Sequence, residues 1–227
     1  MDKKVSKIKL IILDAYGPVI TGGYPPTCKF LAKKFKVRPL YIKGDRGIYS
    51  ATQRERAKWE YLYEVIYKKY FNMAAERKIT QKEAWEMAIK ELNLPLSVEE
   101  AKKIHYELMG LNKKVLAFTK KLNKSIKILL LSKNTRSQFS DVNNKLNFRK
   151  YFKYVINTWE LSLPKASRET LRYIMKKFKI KTGEIIYVDD QIDNLAEAKT
   201  MGIKTIFYRD FNQFKKEINN YLKYGKK

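Results

Sequence analysis

The chain has 227 residues, 44% of them hydrophobic, which is enough for a substantial core in one large domain or in one domain carrying an insert. Its longest apolar runs fall well short of a bilayer span, and its first residues, MDKKVSKIK, carry neither an apolar signal core nor a small-residue cleavage site, so the sequence reads as cytoplasmic with no membrane partner. Lys and Arg number 49 against 23 Asp and Glu, a formal charge of +26, and a field of that sign attracts polyanions. The basic residues are spread through every segment of a chain also rich in Ile, Tyr and Asn, which is the pattern of a compositional bias rather than of a nucleic-acid surface. A small, phosphorylated substrate is therefore the stronger expectation and nucleic acid the weaker. The lone cysteine, Cys28, excludes an internal disulfide, and a single histidine with no Cys at ligand spacing excludes a zinc site.

In chain order, KIKLIILD reads as a buried strand ending at Asp14, followed by a turn through Ala15, Tyr16 and Gly17. From about residue 24 to about 110 the pattern is helical throughout. One stripe runs Trp59, Leu62, Tyr63, Ile66, Tyr70, and another Trp85, Ala88, Ile89, Leu92. Capping boxes, Thr80 with Glu83 and Ser97 with Glu100, mark two helix starts. These aromatic stripes are the core of this region, and His105 and Cys28 are given structural roles.

Beyond it, helices and strands alternate. Val115, Phe118 and Leu122 precede SIKILLLS, which ends at Ser132, and a short strand KYVINTW follows at 153–159. Leu171, Ile174, Met175 and Phe178 precede EIIYVDD, which ends at Asp189 and Asp190. Leu195, Ala198 and Met201 precede IKTIFY, and Phe214, Ile218, Tyr221 and Leu222 form the stripe of a closing helix. Strands alternating with helices predict an α/β fold, a Rossmann-like doubly wound parallel sheet, built from residues 1–23 and 111–227, with an inserted all-helical domain over 24–110. Such sheets bind ligands outside the carboxyl ends of their strands, where Asp14, Ser132 and Asp189/Asp190 all fall.

Four features occur in order: strand-end Asp14, strand-end Ser132 in LLLSKN, Lys165 in LSLPKAS, and the acid pair in YVDDQIDN. A carboxylate nucleophile that attacks a phosphoryl group must overcome like-charge repulsion, so it needs cations beside it. Lys165 supplies one, and carboxylates at Asp14, Asp189 and Asp190 suit Mg²⁺ as the other. Ser132 and the amides of Lys133 and Asn134, placed at a helix start, are donors for the transferring group.

These four features resemble the motifs of the haloacid dehalogenase superfamily in residue type, order and approximate spacing, and the helical insert looks like that family's cap domain. The resemblance implies an aspartyl intermediate on Asp14, phosphate contacts from Ser132, Lys133, Asn134 and Lys165, and Mg²⁺ held by Asp14, Asp189, Asp190 and the backbone carbonyl of Tyr16. Asp189 has a second role open to it, as a hydrogen-bond partner of Lys165.

Position 16 departs from the phosphatase pattern, which has a second Asp there as general acid. A phenol, with a pKa near about 10, is a poor proton donor to a leaving group at neutral pH. Tyr at this site resembles the dehalogenase branch, where halide leaves unprotonated, yet the Asp189/Asp190 pair matches the metal-dependent phosphatases. Arg54 or Arg56 falls near the place where that branch keeps a cap arginine, and Pro18 replaces the residue usual after the motif's glycine. Three readings stay open: a Mg²⁺-dependent phosphohydrolase, which the acid pair favours; a 2-haloacid dehalogenase-like hydrolase; and a catalytically degenerate binding or regulatory protein.

Overall fold

A computed structural model describes residues 8–35, 37, 51–122 and 126–224; the side chains of 51–56, including Arg54 and Arg56, and of 224 lie outside the described set. Two compact units divide the chain, one comprising Met1–Thr21 and Leu111–Lys227, the other Gly22–Gly110.

The first unit begins with β1 (Leu10–Asp14), in which five consecutive residues are buried. A strand buried on both faces has no polar alternation to show, which is why LIILD carries no period of two. Two-residue strands, β2 (Ile20–Thr21) and β3 (Gly110–Leu111), stand where the chain passes between the units. The remaining strands are β4 (Lys127–Ser132), β5 (Tyr154–Asn157), β6 (Ile185–Asp189) and β7 (Lys204–Phe207). They assemble with β1 into one five-stranded sheet of order β5-β4-β1-β6-β7, every pair parallel. The Rossmann-like doubly wound α/β fold expected from the sequence is present.

Register brings the strand ends together. Asp14 is opposite Leu131, Leu13 opposite Val188, and Ser132 opposite Asn157. Because side chains alternate along a strand, Leu10, Ile12 and Asp14 share one face of β1, and Ile185, Tyr187 and Asp189 share one face of β6. On that face the apolar members form one buried cluster with Leu171 and Ile174 of the helix Arg168–Phe178 and with Leu195 and Ala198 of the helix Asp193–Thr200. Each fully buried Leu or Ile there contributes ~1.5–3 kcal/mol. The segment carrying Lys165 leads directly into the first of these helices, so the packing that buries its apolar stripe also fixes the lysine.

The sequence places a strand over 153–159, but the chain leaves the sheet after Asn157 and turns into a helical segment, Thr158–Leu161. Trp159 had read as strand because an aromatic after YVIN fits either period.

In the second unit the described elements between Tyr24 and Glu107 are all helical. Both capping boxes form: Thr80 accepts from the Glu83 amide and Ser97 from the Glu100 amide, with each glutamate reaching back to the cap amide. The helix from Ala51 widens to a π-helix over Glu64–Phe71. Its wider turn brings residues four apart nearer to eclipse, and Tyr63, Tyr67 and Phe71 stack, with ring centroids 4.9 and 5.3 Å apart. The sequence stripe reads equally well as α-helix, since ring stacking is invisible to it. Cys28 and His105 are both wholly buried in this unit, and no described helix in the chain is long and apolar enough to cross a membrane.

Candidate active site

Asp14, Lys165 and Asp189 form a buried chain of charge at the carboxyl ends of β1 and β6. Lys165 Nζ lies 2.7 Å from Asp14 Oδ2 and 2.8 Å from Asp189 Oδ2, and all three residues are nearly or wholly buried. Carboxylate oxygens of Asp14, Asp189 and Asp190 lie within 4.8 Å of one another, with Asp190 the exposed member. Three carboxylates against one ammonium leave two excess negative charges when all are ionised, the charge of one divalent cation.

The strain of that excess shows in the acids. Burial pushes the Asp14 carboxyl up to about 8, against the pull of Lys165 and with a further push from Asp189 and Asp190. Desolvation raises Asp190 to about 6, and the neighbouring Asp189 charge adds to it. Burial works against the Lys165 ammonium, yet the facing acids hold it well above the usual lysine value. A divalent cation bound there would relieve both raised acids at once.

Asp189 is differently placed from its two partners. Its Oδ1 accepts from the Gln191 amide at 2.9 Å and from Asn194 Nδ2 at 3.0 Å, while Oδ2 accepts from the Tyr187 hydroxyl at 2.8 Å as well as from Lys165. A carboxylate offers about four lone-pair positions, and all of them are engaged within the protein.

The turn after β1 is built around Gly17. The Gly17 amide donates to the Ile20 carbonyl at 3.0 Å and the Ile20 amide to the Ala15 carbonyl at 2.7 Å, so Pro18, which has no N–H, takes nothing from the turn. Gly17 has φ +76°, and a Cβ there would collide with the Asp190 side chain. The half-buried Tyr16 has its amide 3.4 Å from Asp14 Oδ1.

Ser132 is buried, and the Asn134 amide lies 3.4 Å from its Oγ. The helix that follows is Arg136–Leu146, capped by Thr135, whose side chain accepts from the Gln138 amide. Lys133 and Asn134 thus sit in the turn immediately ahead of the helix start. The Asn157 side chain from β5 donates Nδ2 to the Asn134 carbonyl at 2.8 Å. That bond fixes the amide's orientation, and among the described residues Asn157 Oδ1, Asn134 Nδ2 and Thr158 Oγ1 are buried without a partner. Buried polar groups are nearly always paired, and these three are exceptions among the described residues.

A family model described as haloacid dehalogenase-like hydrolase matches residues 46–208, well over half of the chain. The chain belongs to the haloacid dehalogenase-like hydrolases. The matched segment contains Ser132, Lys165, Asp189 and Asp190, and Asp14 precedes it. The fold is that of solved members. A HAD-family enzyme from Bacteroides thetaiotaomicron is 17% identical with a TM-score of 0.67, over 90% of this chain and 95% of that one. The same enzyme, in complex with magnesium and inorganic phosphate, has a TM-score of 0.65 at 17% identity, over 89% of this chain and 94% of that one. The L-2-haloacid dehalogenase from Xanthobacter autotrophicus is 14% identical with a TM-score of 0.59, over 94% of this chain and 83% of that one. Among curated proteins, drimenol cyclase from Aspergillus calidoustus is 18% identical over 98 residues, which is 43% of this chain but only 19% of that protein. The solved neighbours thus include an enzyme holding magnesium and inorganic phosphate and an L-2-haloacid dehalogenase.

The sequence reading gave no role to Tyr187, Asn157 or Thr158. Tyr187 stands two residues before Asp189 in a strand, and alternation alone puts both on one face. Asn157 and Thr158 had no such signal, because their importance depends on β5 lying beside β4.

Proposed function

We propose that the chain is a Mg²⁺-dependent phosphohydrolase acting on a small phosphorylated substrate, with Asp14 as nucleophile. The observation that carries this reading is the Asp14–Lys165–Asp189 charge chain beside the exposed Asp190, an arrangement with an excess of two negative charges. Asp14, Asp190 and the Tyr16 carbonyl would hold the ion. Asp189, expected from the sequence as a further ligand, is assigned to Lys165 instead, since its acceptor positions are taken up by protein donors. When bound, Mg²⁺ offsets the charge of the phosphoryl oxygens and of the attacking carboxylate.

The residues of the chain do the rest. One oxygen of Asp14 is held by Lys165, so the other is directed at phosphorus; the new bond is Oδ–P, the broken one joins phosphorus to the leaving group, and the electron pair departs with that group. Water then attacks the aspartyl phosphate, restoring the carboxylate and releasing inorganic phosphate. Ser132 and Lys165, with the Lys133 and Asn134 amides, are assigned to the phosphoryl oxygens, where positioned donors in a buried site act with little reorganisation. With Tyr16 where an acid would stand, the leaving group must depart with little protonation, which favours acyl and aryl phosphates over alkyl esters.

The test is phosphate release from acetyl phosphate and 4-nitrophenyl phosphate, with Mg²⁺ and with EDTA, in wild type and Asp14→Ala. Release that requires both Mg²⁺ and Asp14 is expected; none from either substrate would sink the proposal.

Tyr16 favours a second reading, hydrolytic dehalogenation of a small 2-haloacid by the same Asp14. That reaction has no need of a metal, so halide release from 2-chloropropionate in EDTA selects it. If neither assay turns over while Mg²⁺ still binds, a non-catalytic role on this fold is left, and salt-dependent RNA binding through the basic surface is then the measurement to make.

A further inference from the structure

The Tyr187 side chain is wholly buried in β6, an interior strand of the sheet, between Ile12 on β1 and Thr205 on β7 by register. Its ring packs in the apolar cluster of the sheet and the helix Arg168–Phe178. Phenylalanine would fill nearly the same volume, whereas a buried phenol needs a partner for its hydroxyl. That partner is Asp189 Oδ2 at 2.8 Å, the same oxygen that accepts from Lys165 Nζ at 2.8 Å.

Sharing that oxygen has a consequence for Asp14. Lys165 Nζ is held between two carboxylates, Asp14 Oδ2 at 2.7 Å and Asp189 Oδ2 at 2.8 Å. Asp189 is wholly buried and anchored through Oδ1 by Gln191 and Asn194, so it cannot turn away from the lysine. Were Lys165 its sole donor at Oδ2, the full charge of that oxygen would draw the ammonium off Asp14. A second donor on the same oxygen spreads its negative charge over two bonds and weakens each.

The geometry points to Tyr187 as a positioning residue for the nucleophile: by taking a share of Asp189 Oδ2, it leaves Lys165 divided between the two acids and so kept on Asp14. Its effect on turnover rests on the phosphohydrolase reading, but its effect on Lys165 does not. In Tyr187→Phe the ring and its packing remain while the second donor is lost, and the ammonium moves toward Asp189.

The experiment has one readout that needs no turnover. In protein labelled with ¹⁵N-lysine, the buried Lys165 ammonium gives a resonance assigned by its loss in Lys165→Met. In Tyr187→Phe that resonance is expected to shift, and a crystal structure is expected to show a longer Lys165 Nζ–Asp14 Oδ2 distance. With acetyl phosphate and Mg²⁺, kcat is expected to fall about tenfold, the scale of an outer partner that orients a catalytic group, with KM within about twofold. Because the effect passes through Asp189, adding Tyr187→Phe to Asp189→Asn is expected to cost nothing further in kcat. Tyr187→Met, which also fills the position without a donor, serves if the phenylalanine variant does not fold. An unmoved Lys165 resonance and distance in a folded variant overturn the inference, as does an additive loss on Asp189→Asn. A wild type that releases no phosphate overturns the proposed function instead, and the resonance and the distance still decide the role of Tyr187.

Discussion

Gly17 and Asp190 are fitted to each other: a Cβ at Gly17 would stand 2.8 Å from the Cβ of Asp190 and nearer still to its carboxyl group, on a backbone already at φ +76°. The turn after the first strand therefore sets where the acid after β6 can lie. Gly17→Ala is expected to cost about 1–2 kcal/mol from backbone conformation alone and to displace Asp190 besides. Mg²⁺ affinity, measured by titration calorimetry, is expected to fall by about tenfold or more. Unchanged affinity in a folded variant would show that Asp190 is not a ligand.

Tyr16→Asp restores a carboxyl group where a leaving group would need a proton. Turnover of an alkyl phosphate such as glycerol phosphate is expected to rise by about 10²-fold or more, the usual scale of general acid catalysis. Acetyl phosphate, whose leaving group needs no proton, is expected to gain far less. Steady-state kinetics on both substrates check this, and equal gains on the two would remove the argument that position 16 supplies a proton.

Lys165→Met leaves Asp14 and Asp189 facing each other across a buried site without their shared cation. Breaking a buried ion pair from one side costs about 3–5 kcal/mol, read from urea unfolding. Lys165→Met with Asp189→Asn is expected to recover part of that stability, since one uncompensated charge is gone, while phosphohydrolase activity stays lost. Stability that falls further in the double variant would contradict the charge assignment.

The sheet was legible because its three inner strands, β1, β4 and β6, are buried on both faces and so appear as short apolar runs ending at polar residues. The ends of those runs, Asp14, Ser132 and Asp189, are also where a parallel sheet opens to ligands. What the sequence left unresolved are the hydrogen bonds among these residues. Whether Asp189 faces a metal or a lysine depends on Gln191, Asn194 and Tyr187 together, and each of the three has an ordinary reading of its own. Asn157 and Thr158 looked like the tail of a strand, since nothing local says that β5 lies next to β4. The π-helical turn at Glu64–Phe71 goes with the stacking of Tyr63, Tyr67 and Phe71, a relationship that the four-residue spacing of an α-helix hides.

His105 gives the helical unit a pH dependence separable from that of the site. Its ring is wholly buried, Nδ1 lies 2.8 Å from Thr27 Oγ1, and that hydroxyl donates to the Gly23 carbonyl at 2.8 Å, so Nδ1 carries the proton given to Thr27. Tyr24 and Trp85 pack on it with ring centroids 4.4 and 5.6 Å away. Burial lowers its pKa from 6.5 to about 3. Between those values the unfolded chain binds a proton that the folded one does not, so this contribution to stability is complete above pH 6.5 and is lost as the pH falls toward 3. The raised acids of the site, Asp14 and Asp190, work in the opposite sense, which makes the wild-type curve alone uninformative. The difference between wild type and His105→Gln isolates the histidine, because glutamine keeps a hydrogen-bonding group for Thr27 and does not titrate. Urea unfolding at pH 7.5 and at pH 4.5 is expected to show wild type losing about 2.7 kcal/mol more than His105→Gln, since pH 4.5 lies two units below the unfolded pKa at about 1.4 kcal/mol each and the rounding of the curve near 6.5 removes little. A difference that does not change between the two pH values would mean that His105 is charged in the folded chain and that its ring is not sealed from water.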